Sequence, residues 1–145
     1  MAEVRWRHGG NRLVLPVAVL PSAIAENPQA LDLTEALIDT GATGTGLRPD
    51  VASRLAILGR GRRRVLTANG DILVPEYRIR LGFYPGNYQA EAEAPSGTMP
   101  YILDFGLLAY ALHDHFPYAM LIGMDVLQHC DLIILRDRTA RLVLP

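Results

Sequence analysis

The apolar residues of this chain recur with the short periods of strands, not the longer period of helices. Leu13–Leu20 (LVLPVAVL) is a continuous apolar run of the kind that forms a buried strand, and Pro16 within it points to an edge position or a bulge. Leu31–Thr40 (LDLTEALIDT) alternates at first and then turns apolar at Ala36, Leu37 and Ile38, so it predicts a strand that starts half-exposed and finishes buried. Tyr77, Ile79, Leu81 and Phe83 alternate with Glu76, Arg78, Arg80 and Gly82, the period of two of a half-buried strand. Val65–Ala68 and Asp71–Val74 flank Asn69-Gly70, a pair that favours a type I′ hairpin turn because both its central residues need positive φ. Tyr118–Gly123 reads as a further strand, and Asp131–Leu135 with Ala140–Leu144 as a terminal hairpin around Arg136–Thr139.

Helical signals are few. Arg48–Leu58 predicts a short helix, with Pro49 and Asp50 where its start tolerates a missing N–H and favours a carboxylate, and with Val51, Leu55 and Leu58 on one face. Met124–Cys130 predicts another, and Leu107–Leu112 one or two turns. Pro21–Pro28 and Tyr84–Pro100 read as loops, the latter with a strand across Tyr88–Ala94, and Gly41–Gly46 (GATGTG) as a glycine-rich turn. Arg60, Arg62, Arg63 and Arg64 read as a solvated connection, and residues 1–12, with Trp6, as a mobile arm. The expectation is one all-β domain over 1–145, a closed barrel with one or two short helices.

Composition narrows the chemistry. The 145 residues are 50% hydrophobic, enough for a core, and the net charge of -1 gives no bulk attraction to nucleic acid or to an anionic membrane. All 14 basic residues are arginine, which excludes mechanisms built on a lysine. The lone Cys130 excludes an intramolecular disulfide and suits a reducing, cytoplasmic setting; no signal-peptide pattern or membrane-spanning run is expected. Gly41, Gly44 and Gly46 have the wrong spacing for a phosphate loop. His113-Asp114-His115 reads as a solvated loop, and His129-Cys130 as a buried thiol beside a histidine.

Asp39 stands out, a carboxylate at the end of an apolar strand entering a glycine turn. Spacing alone reads it as a turn-initiating Asp. The string Leu37-Ile38-Asp39-Thr40-Gly41-Ala42, however, resembles the active-site signature of aspartic proteases, and the alanine is similar to the retropepsin branch. Leu121-Ile122-Gly123 resembles the apolar-apolar-Gly element that crosses beneath that loop, and the Asn69-Gly70 hairpin stands where the family carries its flap. The chain is thus similar to retropepsin-like aspartic proteases, to bacterial members more than to viral ones, over Leu13 to Leu144.

That resemblance implies a homodimeric endopeptidase acting on peptide or protein substrates, with no metal or organic cofactor. One Asp-Thr-Gly per chain implies two Asp39 carboxylates meeting at a twofold axis and sharing one proton. Thr40 would bond across the axis, and Gly41 would let substrate backbone approach. The flap implied is Val65–Val74, with Asn69 and Gly70 at its tip. Ala42, Thr43, Asn69, Gly70, Leu121 and Ile122 become candidate substrate contacts, with Leu47 and Val74 as further pocket walls, and Thr45, Gly123 and Asp125 as structural support. Because Ala42 offers the carboxylates no hydroxyl, activity is expected at mildly acidic pH, moved toward neutrality. Thr43-Gly44 and Met124 depart from the viral pattern of paired acidic and arginine side chains, so a catalytically silent peptide-binding or regulatory dimer is the alternative, and a purely structural β-module a third.

Overall fold

The computed structural model describes residues 2–22, 32–89 and 99–145. Twelve strands and two short helices are formed by these residues. The larger sheet joins β2 (Val14–Pro21), β3 (Asp32–Ile38), β10 (Met120–Ile122), β4 (Gly46–Leu47), β9 (Leu107–Ala111) and β6 (Gly70–Phe83) in that order, and β6 pairs back onto β2. The result is a closed ring of six strands, which leaves none of them an open edge along its whole length. β5 (Gly59–Thr67) and β8 (Tyr101–Ile102) are appended to β6. A smaller sheet, ordered β11 (Asp131–Ile134), β12 (Thr139–Val143), β1 (Glu3–Arg7), β7 (Gly86–Tyr88), lies beside the ring.

The strand pattern of the sequence explains the interior. Ile79, Leu81 and Phe83 are wholly buried along β6, as their period of two requires, and they pack with Leu15, Val17 and Val19 of β2 and with Ile122. Pro16 opposes Glu35 of β3, whereas pairing of β2 with β6 begins only at Val17, so the missing N–H of the proline falls where β2 is locally an edge. Leu107–Ala111 is strand β9 and not helical turns: its burial alternates, and it bridges β4 and β6. Pairing across a closed ring overrides the local helix preference of its Leu and Ala residues.

Helix α1 (Pro49–Arg54) is shorter than the pattern suggests. Val51 and Ala52 are buried, but the helix stops before Ala56, whose φ is +56°, and Leu58 is left 79% exposed rather than on the apolar face. Arg48 clamps Asp50 with two hydrogen bonds of 2.9 and 2.7 Å and holds its carboxyl down at about 2. Helix α2 (Met124–Leu127) follows β10 directly.

Residues 3–7 form β1 where a mobile arm was expected, paired with β12 from Glu3↔Val143 to Arg7↔Thr139 and with β7 on its other side. Val4 and Trp6 are 1% exposed and belong to the core. The sequence hid this because three arginine or glutamate side chains alternate with them on the open face. The arginine run Arg60–Arg64 likewise lies within β5, paired to β6, rather than in a solvated connection. The strand expected over Tyr88–Ala94 ends at Tyr88 as β7, and residues 90–94 fall outside the described residues, as do 23–28 of the expected loop.

Replacing Trp6 with Ala should cost about 3–5 kcal/mol in urea unfolding, the scale for an emptied aromatic core site. Trp6→Phe should cost less, since the Nε1 of Trp6 is buried without a partner among the described residues and phenylalanine buries none. An unchanged midpoint in Trp6→Ala would return β1 to the status of a dispensable arm. In NMR titration the Asp50 carboxyl should stay ionised below the ordinary carboxylate range and protonate near 2, so its ion pair is present above that range and is lost as pH falls through 2; in Arg48→Gln it should titrate higher.

Candidate active site

Asp39 directly follows β3, whose last residues Ala36, Leu37 and Ile38 pair in parallel with Met120, Leu121 and Ile122 of β10. The Asp39 N–H donates to Ile122 O at 2.9 Å, which fixes the backbone just where the side chain leaves the sheet. The Oδ1 atom accepts the Gly41 N–H at 2.9 Å, and Ala42 N–H returns to Asp39 O at 3.2 Å. The carboxylate is therefore anchored on one oxygen by its own turn and remains half-exposed. The turn-initiating role and the strand-end position are the same geometry.

The loop that follows is threaded by the segment after β10. Met124 N–H donates to Ala42 O at 2.8 Å and Asp125 N–H to Thr43 O at 3.1 Å. Thr45 is wholly buried; its hydroxyl donates to Asp125 Oδ1 at 2.7 Å and accepts the Gly123 N–H at 3.2 Å, while its own N–H donates to Asp125 Oδ2 at 3.1 Å. Asp125 also receives the Val126 N–H at 3.0 Å. A Cβ on Gly123 would lie 2.4 Å from Gly44 O and 2.9 Å from Ala42 O, so only glycine lets the two segments cross this closely. The expected support by Thr45, Gly123 and Asp125 is thus brought together in one network, built from residues 78 and 80 positions apart.

Not every expected contact residue faces the same space. Thr40, Gly41 and Thr43 are exposed and Ala42 is half-buried beside Asp39. Among the described residues the Thr40 hydroxyl makes no hydrogen bond. Ile122 and Leu47 are wholly buried and Leu121 is 7% exposed, so Ile122 and Leu47 serve the core and are not pocket walls. What Ile122 offers the site is its carbonyl. An open cavity of about 510 Å³ beside Asp39 is lined instead by His8, Asn11, Arg12, Leu13, Leu37 and Tyr118, among others. Arg12 donates to the Tyr118 hydroxyl at 2.8 Å and lies 6.0 Å from its ring centroid. No local pattern signals this wall, because the pairing of β2 with β3 is what brings the segment before β2 to Asp39.

The hairpin is longer than Val65–Val74. β5 and β6 pair from Arg62↔Pro75 to Thr67↔Gly70, leaving Ala68 and Asn69 as the two turn residues. Asn69 does not adopt positive φ; Gly70 does, at +106°, so the turn is displaced by one residue from the type I′ arrangement. The Thr67 hydroxyl accepts the Asn69 N–H at 3.2 Å and donates to Gly70 O at 2.8 Å, and this local bonding selects the register. Leu66 is 81% exposed near the tip.

The surroundings give Tyr110 a distinct electrostatic place: burial first, then the charge of Asp39, raises its phenol above the ordinary range. Cys130 is pushed up to about 11 by burial and by the nearby Asp131, which removes it as a thiolate nucleophile at neutral pH.

A family model described as aspartyl protease matches residues 31–87, which span β3, the Asp39 loop and the hairpin. A crystal structure of a retropepsin-like aspartic protease from Rickettsia conorii superposes with a TM-score of 0.61 at 14% identity, covering 98% of this chain and 90% of that one. The fold is that of a retropepsin-like aspartic protease. A protein of unknown function from Legionella pneumophila aligns more loosely, with a TM-score of 0.41 at 15% identity over 82% of this chain and 84% of that one. No curated protein matches the sequence. In this retropepsin-like fold the Asp39 loop lies against the Gly123 crossing, and Gly44 of that loop lies against Arg63 of the hairpin.

Gly123→Ala should fail to yield folded protein, because its methyl meets backbone and not a yielding side chain. Thr45→Val keeps the shape but leaves the buried Gly123 N–H without an acceptor, at a cost of about 1–3 kcal/mol in chemical unfolding. Wild-type stability in Thr45→Val would show that the network does not hold the loop.

Proposed function

We propose that the chain is an aspartic endopeptidase that hydrolyses peptide bonds as a homodimer. The observation that carries this reading is Asp39 itself: a half-exposed carboxylate, fixed through one oxygen, on a loop pinned by the Gly123 crossing and opening onto a cavity. A single carboxylate per chain is half of an acid–base pair. A second copy related by a twofold axis would supply the other, and the exposed Thr40 hydroxyl, without a partner among the described residues, would bond across that axis.

The two carboxylates then share one proton, because both cannot ionise cheaply at close range. The ionised member takes a proton from a water held between them, and the resulting hydroxide attacks the peptide carbonyl. The protonated member first stabilises the oxygen of the tetrahedral intermediate; a proton then passes to the leaving amine as the C–N bond breaks. Gly41 admits the substrate backbone, and the hairpin with Asn69 and Gly70 near its tip closes over an extended peptide and excludes water. The rival reading, a peptide-binding dimer without turnover, draws on Thr43 and Met124, which are exposed beside the loop and carry no charge.

Asp39→Asn separates the two readings. Cleavage of a peptide library should disappear while the far-ultraviolet spectrum and the sedimentation of a dimer persist. If instead wild-type protein binds peptides but never cleaves them, the rival stands. The pH–rate profile should peak at mildly acidic pH, and an optimum below pH 3 would contradict the shift toward neutrality assigned to Ala42, which offers the carboxylates no hydroxyl.

A further inference from the structure

Arg63 stands apart from the other arginines of β5. Its cross-strand neighbour is Val74, and it shares the hairpin face of Val65, Ile72 and Glu76; Arg62 and Arg64 point to the opposite face, opposing Pro75 and Leu73. Its Nε donates to Glu76 Oε2 at 2.6 Å, its Nη2 to Leu108 O at 2.7 Å, and its guanidinium carbon sits 5.8 Å from the Tyr110 ring centroid. Glu76 is only 17% exposed and Arg63 31%, so the cation is held in place rather than solvated on a free stem.

This clamp aims the remaining terminal nitrogen. A Cβ built on Gly44 would lie 3.0 Å from Arg63 Nη1, so the bare backbone of Gly44 is what makes room for the guanidinium. The same Cβ position lies 3.7 Å from Tyr110 Cε1, and Tyr110 in turn responds to the charge of Asp39. The guanidinium therefore occupies the space between the inner face of the hairpin and the Asp39 loop. Among the described residues Nη1 donates to no acceptor. Arginine offers planar donors suited to a carboxylate, and a partly desolvated site strengthens that pairing.

We propose that Arg63 is the specificity-determining cation of this cleft and takes the carboxylate of an Asp or Glu flanking the scissile bond of an extended peptide. The assignment rests on the peptide-binding cleft of the proposed function, but not on turnover. Glu76, Leu108 and Tyr110 act as positioning groups for the guanidinium.

A positional library of synthetic octapeptides, incubated with full-length Asp39→Asn protein, tests this by binding alone. Retained peptides should show Asp and Glu enriched about tenfold over Asn and Gln at one position, as a charge-assisted pair at a partly buried site allows. The enrichment should vanish in Asp39→Asn/Arg63→Gln and in part survive Arg63→Lys. It should shrink with Gly44→Ala, which crowds Nη1 while leaving the Arg63–Glu76 pair intact and so covers a misfolded Arg63→Gln. No acidic enrichment, an enrichment that survives Arg63→Gln, or one that follows Arg12→Gln instead would overturn the assignment. If wild-type protein leaves the retained peptides uncut, the peptidase reading fails and the Arg63 assignment stands.

Discussion

The passage of Gly123 beneath the Asp39–Thr45 loop is the constraint on which the site depends. Two segments of backbone come so close there that a single methyl would strike a carbonyl oxygen. Close approach of backbone demands that polar groups find partners, and they do. Ala42 and Thr43 give their carbonyls to the start of α2, and the buried Thr45 hydroxyl joins Gly123 to Asp125. Bonds to a carboxylate are stronger than those between neutral groups, and Asp125 accepts from both Thr45 and Val126. The loop is thereby rigid at its base while Asp39 and Thr40 remain open at its crest.

The closed ring supplies the frame for that crossing. β10 is only three residues long, yet it pairs with β3 in parallel and with β4 in the antiparallel sense. Such a strand cannot be stable alone; wholly buried Met120 and Ile122 are secured by neighbours on both sides. β6 does two jobs with one strand. Its second half, with Ile79, Leu81 and Phe83, belongs to the core, and its first half leaves the ring to form the hairpin with β5. The change of environment is written in its burial, exposed up to Leu73 and then alternating toward the interior. The Arg63–Glu76 pair sits at this junction and ties the hairpin to β9 through Leu108.

Several features were legible from local pattern. The alternation of Tyr77–Phe83, the apolar run before Asp39, the terminal hairpin and the short helix after Gly123 all correspond to observed elements, because each has a period or a breaker that a local rule can read. Thr45 and Asp125, residues the local pattern marks near the glycine turn and the short helix, bond to each other. Other features escaped. The charged residues that alternate with Val4 and Trp6 disguised β1, and the arginines of β5 looked like a loop because a charge run carries no information about its strand partner. The boundary of α1 and the burial of Leu47 and Ile122 depend on what packs against them.

By itself, then, the sequence determined the strands that carry a clear apolar period and the point where the carboxylate leaves its strand, since strand period is a property of neighbouring residues. Only the tertiary structure decided which distant residues meet: Arg12 and Tyr118 at the cavity beside Asp39, Arg63 with Gly44, and Gly123 with Ala42 and Gly44. Those contacts arise from closure of the ring, and ring closure is set by pairings between residues far apart in the chain, which no local period encodes.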